Sequence, residues 1–196
     1  MYLDYRIFRA INQFAGRYRL LDMMVIILSQ KVRYLFLFIL IFIWFRDRSH
    51  KKITLYVIIS AGISMVLNKI IKLFYFKPRP FLNLGTHLLS PFPSKKNSSF
   101  PSKHTALAFA AATSVMFYKR LLGSVMYLSA ILTGLSRIWM GQHYPLDILG
   151  SLLLGTITSI VVKMTGWLWN PFIDRIIQAY YDYCSRMKNH QGKSSH

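Results

Sequence analysis

The sequence predicts an all-α integral membrane protein with a single domain over residues 1–196, and three observations carry that prediction. Hydrophobic residues make up 54% of the chain, above the share typical of soluble domains. They lie in long runs separated by basic or proline-rich breaks. The net charge is +19, and all 6 acidic residues are aspartates. The apolar runs favour lipid and phosphate, rather than nucleic acid, as partners of this positive charge.

Five apolar segments predict a bundle of five membrane-spanning helices, which forms a core over residues 28–167. Several have apolar runs shorter than the roughly 20 residues that cross a bilayer. Polar helix ends at a shared site, and snorkelling Lys and Arg side chains, make up the difference. Residues 1–27 are expected to be interfacial or partly re-entrant, with a sixth span at 20–28 as the alternative. The predicted spans are 28–45, 53–76, 102–118, 121–139 and 146–167.

Two segments outside these spans have their own patterns. Residues 77–101 form a long proline-rich loop with a polar tip, and loops of this length often cover a site. Residues 171–188 place their apolar side chains on one helical face, which predicts an amphipathic helix on the inner membrane surface. Asn170 is expected to cap this helix, with Pro171 in its first turn.

Basic clusters indicate the orientation of the bundle. They follow the first, third and last predicted spans, so alternating topology puts all three on one side. The positive-inside rule makes that side cytoplasmic. The arginines within residues 1–27 count against this orientation if that segment lies outside.

Three polar patterns interrupt the apolar chain, and the predicted topology puts all of them on the outer side. Ionisable groups are expensive at membrane depth, so three separate patterns on one face predict a single site. The patterns are Lys72-x6-Arg79-Pro80, Pro101-Ser102-x-His104 and Ser136-Arg137-x5-His143-x3-Asp147.

All three patterns offer groups that suit a phosphoryl group. Lys72, Arg79 and Arg137 are cations that could hold its charged oxygens. Snorkelling at a helix end explains Lys72 and Arg79 as well, and a lipid headgroup contact explains Arg137. Ser102 is expected to cap the next helix, whose free N–H groups favour an anion. A plain N-cap with an incidental His104 is the alternative.

The third pattern predicts an activated imidazole. Tyr144-Pro145 begins a helix and puts Asp147 in its first turn, where it could accept a hydrogen bond from His143. The other ring nitrogen would then be the nucleophile. Complementation of the helix N-terminus is the alternative role of Asp147. The chain offers almost no material for a carboxylate-rich metal site or a pair of catalytic carboxylates. Its lone Cys184 excludes a zinc cluster of cysteines.

The three patterns together resemble the motif of the type 2 phosphatidic acid phosphatase superfamily, and the resemblance covers residues 72–147. One position differs, because Lys103 stands where the family usually has glycine. The short chain and the Tyr-Pro-x-Asp context are similar to undecaprenyl-diphosphate phosphatases of the bacitracin-resistance type.

The resemblance implies a phosphatase that needs neither metal nor cofactor. His143 would attack phosphorus and form a phosphohistidine, and Asp147 would orient His143. His104 would protonate the leaving group and then activate water. The phosphoryl oxygens would be held by Lys72, Arg79, Ser102 and Arg137, with Lys103 and Ser136 as further candidates.

The leading hypothesis is hydrolysis of undecaprenyl diphosphate to undecaprenyl phosphate on the outer face of a bacterial cytoplasmic membrane, which recycles the lipid carrier of peptidoglycan synthesis. Phosphatidylglycerophosphate and phosphatidate are alternative substrates within the superfamily. An anionic-lipid transporter is the alternative from a different class. The expected partners are a lipid phosphate and the bilayer, with no nucleic acid, and the sequence leaves the oligomeric state open.

Overall fold

The computed structural model describes residues 2–82, 85–91, 94 and 97–193, with residues 188–193 as backbone only. Within these residues the secondary structure is helical throughout, with one short 3-10 helix at Pro80–Leu82. The α-helices are α1 (Tyr2–Asn12), α2 (Arg19–Trp44), α3 (Arg48–Phe74), α4 (Lys103–Met116), α5 (Arg120–Trp139), α6 (Pro145–Met164) and α7 (Gly166–Lys193).

Four of the described helices, α2, α3, α5 and α6, are long and apolar enough to cross a membrane. The all-α membrane fold is therefore confirmed. Five spanning helices were expected, but only four of the described helices are long and apolar enough to span. The predicted span 102–118 is α4, which has 14 residues. At 1.5 Å per residue it is about 21 Å long, shorter than a hydrocarbon core of about 30 Å.

The short helix α4 is the centre of the bundle and packs against α3, α5 and α6. Its alanines allow this, because Ala106, Ala110 and Ala112 are at most 1% exposed. A Cβ atom on Gly155 of α6 would lie 2.4 Å from the carbonyl oxygen of Ala106, so only glycine permits this approach. Ser159 of α6 donates a hydrogen bond to the Ala110 carbonyl at 2.8 Å. These contacts hold α4 closely against α6.

The N-terminal segment differs from the prediction. Residues 20–28 belong to α2, which is continuous from Arg19, so the boundary at residue 27 and the alternative sixth span are both wrong. Asp22 made this stretch look interrupted, but its carboxylate accepts from the Trp139 indole at 2.8 Å and from the Gly16 N–H at 3.0 Å. The sequence could not show these partners. Residues 2–12 form the separate helix α1.

The C-terminal helix is longer than the predicted segment 171–188. It begins at Gly166, so Pro171 lies inside α7 rather than in its first turn. The Asn170 side chain does not cap a helix there, because its oxygen accepts from the Tyr56 hydroxyl at 2.9 Å. The amphipathic pattern itself agrees with the structure, since Ile173 and Ile177 are fully buried while neighbouring residues are exposed.

The two ends of the bundle differ in chemistry. At one end, which we call the site end, a cavity joins α3, the loop between α3 and α4, the start of α4 and the turn between α5 and α6. At the opposite, basic end, Arg46, Lys119 and Arg120 line a shared surface pocket. Helix α7 lies at the basic end, where Lys52 forms an ion pair with Asp174 at 2.9 Å.

Candidate active site

The three polar patterns meet at the site end. They surround a cavity of about 430 Å³, which we call the phosphate cavity. Residues 94 and 97 of the loop between α3 and α4 also line it, so this part of the predicted loop 77–101 contributes to the cavity wall. The predicted site residues that line the cavity are Lys72, Arg79, Lys103, His104 and His143.

His143 and Asp147 lie together, as their spacing predicted. His143 is buried in the turn before α6, and its Nδ1 lies 3.5 Å from Oδ2 of Asp147. Asp147 is 0% exposed in the first turn of α6, where it also accepts from the Tyr144 N–H at 2.9 Å. The other ring nitrogen, Nε2, lies 3.5 Å from a guanidinium nitrogen of Arg79. This arrangement leaves Nε2 facing a cation rather than a carboxylate.

Two residues that the sequence patterns missed complete the surroundings of Asp147. Lys77 donates to Oδ1 of Asp147 at 2.7 Å. The Ser99 hydroxyl donates to Oδ2, and it also lies 3.4 Å from Nδ1 of His143. Lys77 stands between Lys72 and Arg79 in the first pattern, which was the only signal for it. Nothing in the sequence singles out Ser99, since its partner is 48 residues away.

Lys77 also connects the site to the N-terminal helix. Its ammonium group lies 3.0 Å from Oδ2 of Asp4 in α1. Oδ1 of Asp4 accepts from the Leu146 N–H at 2.9 Å, in the first turn of α6. Asp4 therefore belongs to the same buried network as Asp147, and the three sequence patterns did not include it.

Burial and charge set the protonation of the loop residues. Burial, reinforced by the nearby Arg79, lowers the pKa of His143 from its ordinary 6.5 to about 4, although Asp147 opposes the shift. Burial also lowers the pKa of Arg79. For Lys77, burial acts to lower the pKa, but Asp147 and Asp4 outweigh it and the pKa is raised. His143 is therefore neutral near pH 7, the form that can attack phosphorus.

Lys72 and Arg79 are held by the loop between α3 and α4. Lys72 donates to the Ser98 carbonyl at 2.9 Å. Arg79 is buried and donates to the carbonyl oxygens of Asn97 and Gln142, each at 3.2 Å. Main-chain carbonyls fix both cations without neutralising them, so the positive charge remains available to an anion in the cavity.

Arg137 lies behind the cavity rather than in its wall. One guanidinium nitrogen donates to the Gln142 side chain at 2.6 Å and another to the Ser29 carbonyl at 3.2 Å. Its buried Nε has no hydrogen-bond partner in the described part of the chain. Gln142 joins Arg137 to the turn that carries His143, and the sequence patterns did not identify Gln142.

The two predicted serine ligands bond elsewhere. Ser102 precedes α4 as expected, but its hydroxyl makes no capping hydrogen bond and lies 3.0 Å from the Thr105 hydroxyl. The Ser136 hydroxyl donates to the Thr133 carbonyl at 2.7 Å within α5. Both hydroxyls are buried, and neither residue is among those that line the phosphate cavity.

Lys103 and His104 form the open wall of the cavity. Both are exposed in the first turn of α4, and neither has a hydrogen bond or an ion pair with the described residues. The lysine at the usual glycine position is helical, and no non-glycine residue of the described chain has a positive φ. A glycine is therefore not required here by the backbone, and the substitution adds a cation without conformational cost.

Comparisons with known proteins identify the family of this chain. The family model of the PAP2 superfamily matches residues 53–170. Undecaprenyl-diphosphatase BcrC of Bacillus subtilis (strain 168) is 35% identical over 179 residues, which cover 91% of this chain and 92% of the relative. The crystal structure of Aquifex aeolicus LpxE superimposes with a TM-score of 0.64 at 31% identity, over 83% of this chain and 95% of that one.

A second solved structure supports the fold alone. It is a transmembrane PAP2 type phosphatidylglycerolphosphate phosphatase from Bacillus subtilis, with a TM-score of 0.64 at 22% identity over 84% of each chain. The family match includes all three polar patterns, from Lys72 to Asp147. The resemblance found in the motifs is thus confirmed: the chain belongs to the PAP2 superfamily.

Proposed function

We propose that this protein is a membrane phosphatase that hydrolyses undecaprenyl diphosphate to undecaprenyl phosphate and inorganic phosphate. One observation carries the proposal: the His143 ring lies between Asp147 and Arg79, in a cavity that His104 and Lys72 also line. The 35% identity to an undecaprenyl-diphosphatase over most of both chains supports this choice of substrate.

The proposed reaction has two steps. Nε2 of His143 attacks the distal phosphorus while Asp147 holds the Nδ1 proton, and the product is a phosphohistidine. His104 gives a proton to the departing lipid phosphate, then takes one from the water that cleaves the phosphohistidine. Lys72 and Arg79 stabilise the charge on the phosphoryl oxygens from the cavity wall, and Arg137 adds positive charge from behind it. The N–H groups at the start of α4, next to Ser102, also favour the anion.

We further propose that the site end faces outward from a bacterial cytoplasmic membrane. The cluster of Arg and Lys at the basic end supports this orientation through the positive-inside rule. In this arrangement helices α2 to α6 form the catalytic core, residues 77–101 are the outer loop, α1 is an interfacial helix at the site end and α7 is an amphipathic helix at the inner surface. Single cysteines would be placed in α1 or in α7 and labelled in intact cells, which tests on which side of the membrane each helix lies.

The decisive experiment measures phosphate release by the purified protein in detergent. Undecaprenyl diphosphate, phosphatidylglycerophosphate and phosphatidate are compared, with the His143→Ala variant as the control for contaminating activity. We expect the diphosphate to be the best substrate and the variant to lose about 10⁴-fold or more in rate. Full activity of the variant would contradict the mechanism. Binding of the lipids without release of phosphate would instead favour a transporter.

A further inference from the structure

A second cavity adjoins the phosphate cavity, and the two share Lys103 and His104. It has a volume of about 420 Å³ and lies between α2, α3, α4 and α5, and we call it the α2 cavity. Its walls are mainly apolar and include Phe36 and Leu107. An apolar chamber joined to a phosphate site through a histidine suits a ligand with a charged head and a hydrocarbon tail.

Arg33 is the unexpected residue in this apolar wall. It lies within α2, a helix apolar enough to span the membrane, and it lines the α2 cavity. Its guanidinium group donates to the Tyr34 hydroxyl at 3.0 Å and lies 4.8 Å from the centre of that ring. No carboxylate of the described residues lies within ion-pair distance of Arg33. An exposed arginine that lines this cavity without a carboxylate partner can bind an anionic ligand.

We propose that Arg33 and Lys103 form a second anion subsite, which binds the phosphate next to the lipid chain of a diphosphate substrate. The start of the hydrocarbon chain then occupies the α2 cavity. This inference rests on the proposed function, because a diphosphate is the substrate whose second phosphate would lie between the two cavities. Lys103 serves both cavities, and Arg33 serves the α2 cavity only.

The chemistry of the leaving group explains why such a subsite matters. When the His143 nitrogen bonds to the distal phosphorus, the bond from that phosphorus to the bridging oxygen breaks. The bridging oxygen keeps the electron pair and leaves on the lipid phosphate, which gains negative charge and can take a proton from His104. Arg33 and Lys103 stabilise that charge. A lipid monophosphate releases an alcohol with no second phosphate, so the subsite favours diphosphates.

The test compares farnesyl diphosphate with farnesyl monophosphate in detergent micelles. For Arg33→Gln and Lys103→Gln we expect the ratio of kcat/KM for diphosphate to that for monophosphate to fall by about tenfold to a hundredfold, because each loses a charge-assisted contact. Arg33→Lys keeps the positive charge and should keep most of the ratio. The matched control is Lys31→Gln, since Lys31 is an exposed cation on the same helix that does not line the α2 cavity.

The outcomes separate this inference from the proposed function. An equal loss of both activities in Arg33→Gln would overturn the subsite and leave the phosphatase intact. An unchanged ratio in both Gln variants would overturn it as well. If the wild-type protein released phosphate from neither lipid, the proposed function would fail. The subsite would still be tested by binding of a farnesyl methylenebisphosphonate, which we expect the Gln variants to bind about tenfold more weakly.

Discussion

The two histidines of the site lie in opposite kinds of surroundings. His143 is buried, and its partner Asp147 is held by Lys77, Ser99 and the Tyr144 N–H. His104 is exposed in the first turn of α4 and has no hydrogen bond with the described residues. The part of the site around His143 is therefore preorganised, and the part around His104 is open to a ligand.

This difference suits the two proposed tasks. A nucleophilic imidazole must present one nitrogen to phosphorus, and the dense hydrogen-bond network around His143 and Asp147 holds the ring in that orientation. A general acid donates its proton to leaving groups that differ in shape and charge. The cavity wall formed by Lys103 and His104 can therefore remain open until the lipid binds. Variants of the network around His143 should consequently alter the chemistry with every substrate, while variants of Lys103, on the open side, should alter the choice of substrate.

Among variants of the buried network around His143, Asp147→Asn should cause the largest loss of activity. The amide cannot stabilise the positive charge that His143 gains on attack, and it loses the ion pair with Lys77. We expect phosphate release to fall by about 10³-fold to 10⁴-fold with every lipid substrate. A variant that lost activity with one lipid class only would contradict the assignment of Asp147 to the shared chemical step.

Lys77→Gln should have the next largest effect. It removes the ammonium group 2.7 Å from Oδ1 of Asp147, so we expect kcat to fall by about 30-fold to 100-fold. Because a positive charge leaves the neighbourhood of His143, the pKa of His143 should rise and the acid limb of the kcat/KM profile should move to higher pH. Lys52→Gln is the matched control, since it breaks the exposed ion pair with Asp174 at the basic end. If the acid limb of the kcat/KM profile did not move in Lys77→Gln, the role of Lys77 would be structural only.

Asp4→Asn should have a smaller effect, because Lys77 keeps Asp147 as a partner. The asparagine oxygen can still accept from the Leu146 N–H, but the ion pair with Lys77 is lost. We expect phosphate release to fall by about threefold to tenfold, with KM for the lipid unchanged. The measurement is a full kinetic series with one lipid diphosphate. A loss confined to KM would indicate that α1 binds substrate rather than positions Asp147 through Lys77.

The smallest effect concerns the pH dependence of the wild-type protein. Since burial lowers the pKa of His143 to about 4, the neutral ring persists at pH 5, and about 90% of the free protein should remain competent to attack there. Protonation of His143 therefore changes kcat/KM less than about twofold between pH 7 and pH 5. The contrary result would be a wild-type kcat/KM that begins to fall at pH 6.5, with no change of that pH in the Lys77→Gln variant. It would show that burial does not set the protonation of His143.

Much of the site could be predicted because its residues are clustered in sequence and chemically costly in a membrane. The Lys72–Arg79 pattern and the His143–Asp147 pair could be identified from spacing alone, and the structure brings these residues together. Ser99, Gln142 and Asp4 could not, because polar residues of ordinary type become informative only when distant segments meet. The hydroxyl of Ser102 was predicted at the right position in the chain, but Thr105 holds it elsewhere.

The helices illustrate the same limit. Apolar composition predicted where the chain is helical, since a segment in lipid must satisfy its own backbone hydrogen bonds. It did not predict that α2 continues to Arg19 or that α4 is a short central helix, because those lengths depend on partners such as Trp139 and Gly155.

The sequence by itself thus determined the membrane fold, the three polar patterns and the family to which they belong. The tertiary structure alone decided which groups surround each histidine. Local patterns report the chemistry that a residue carries, whereas burial, ion pairs and open walls arise only from packing between segments far apart in the chain.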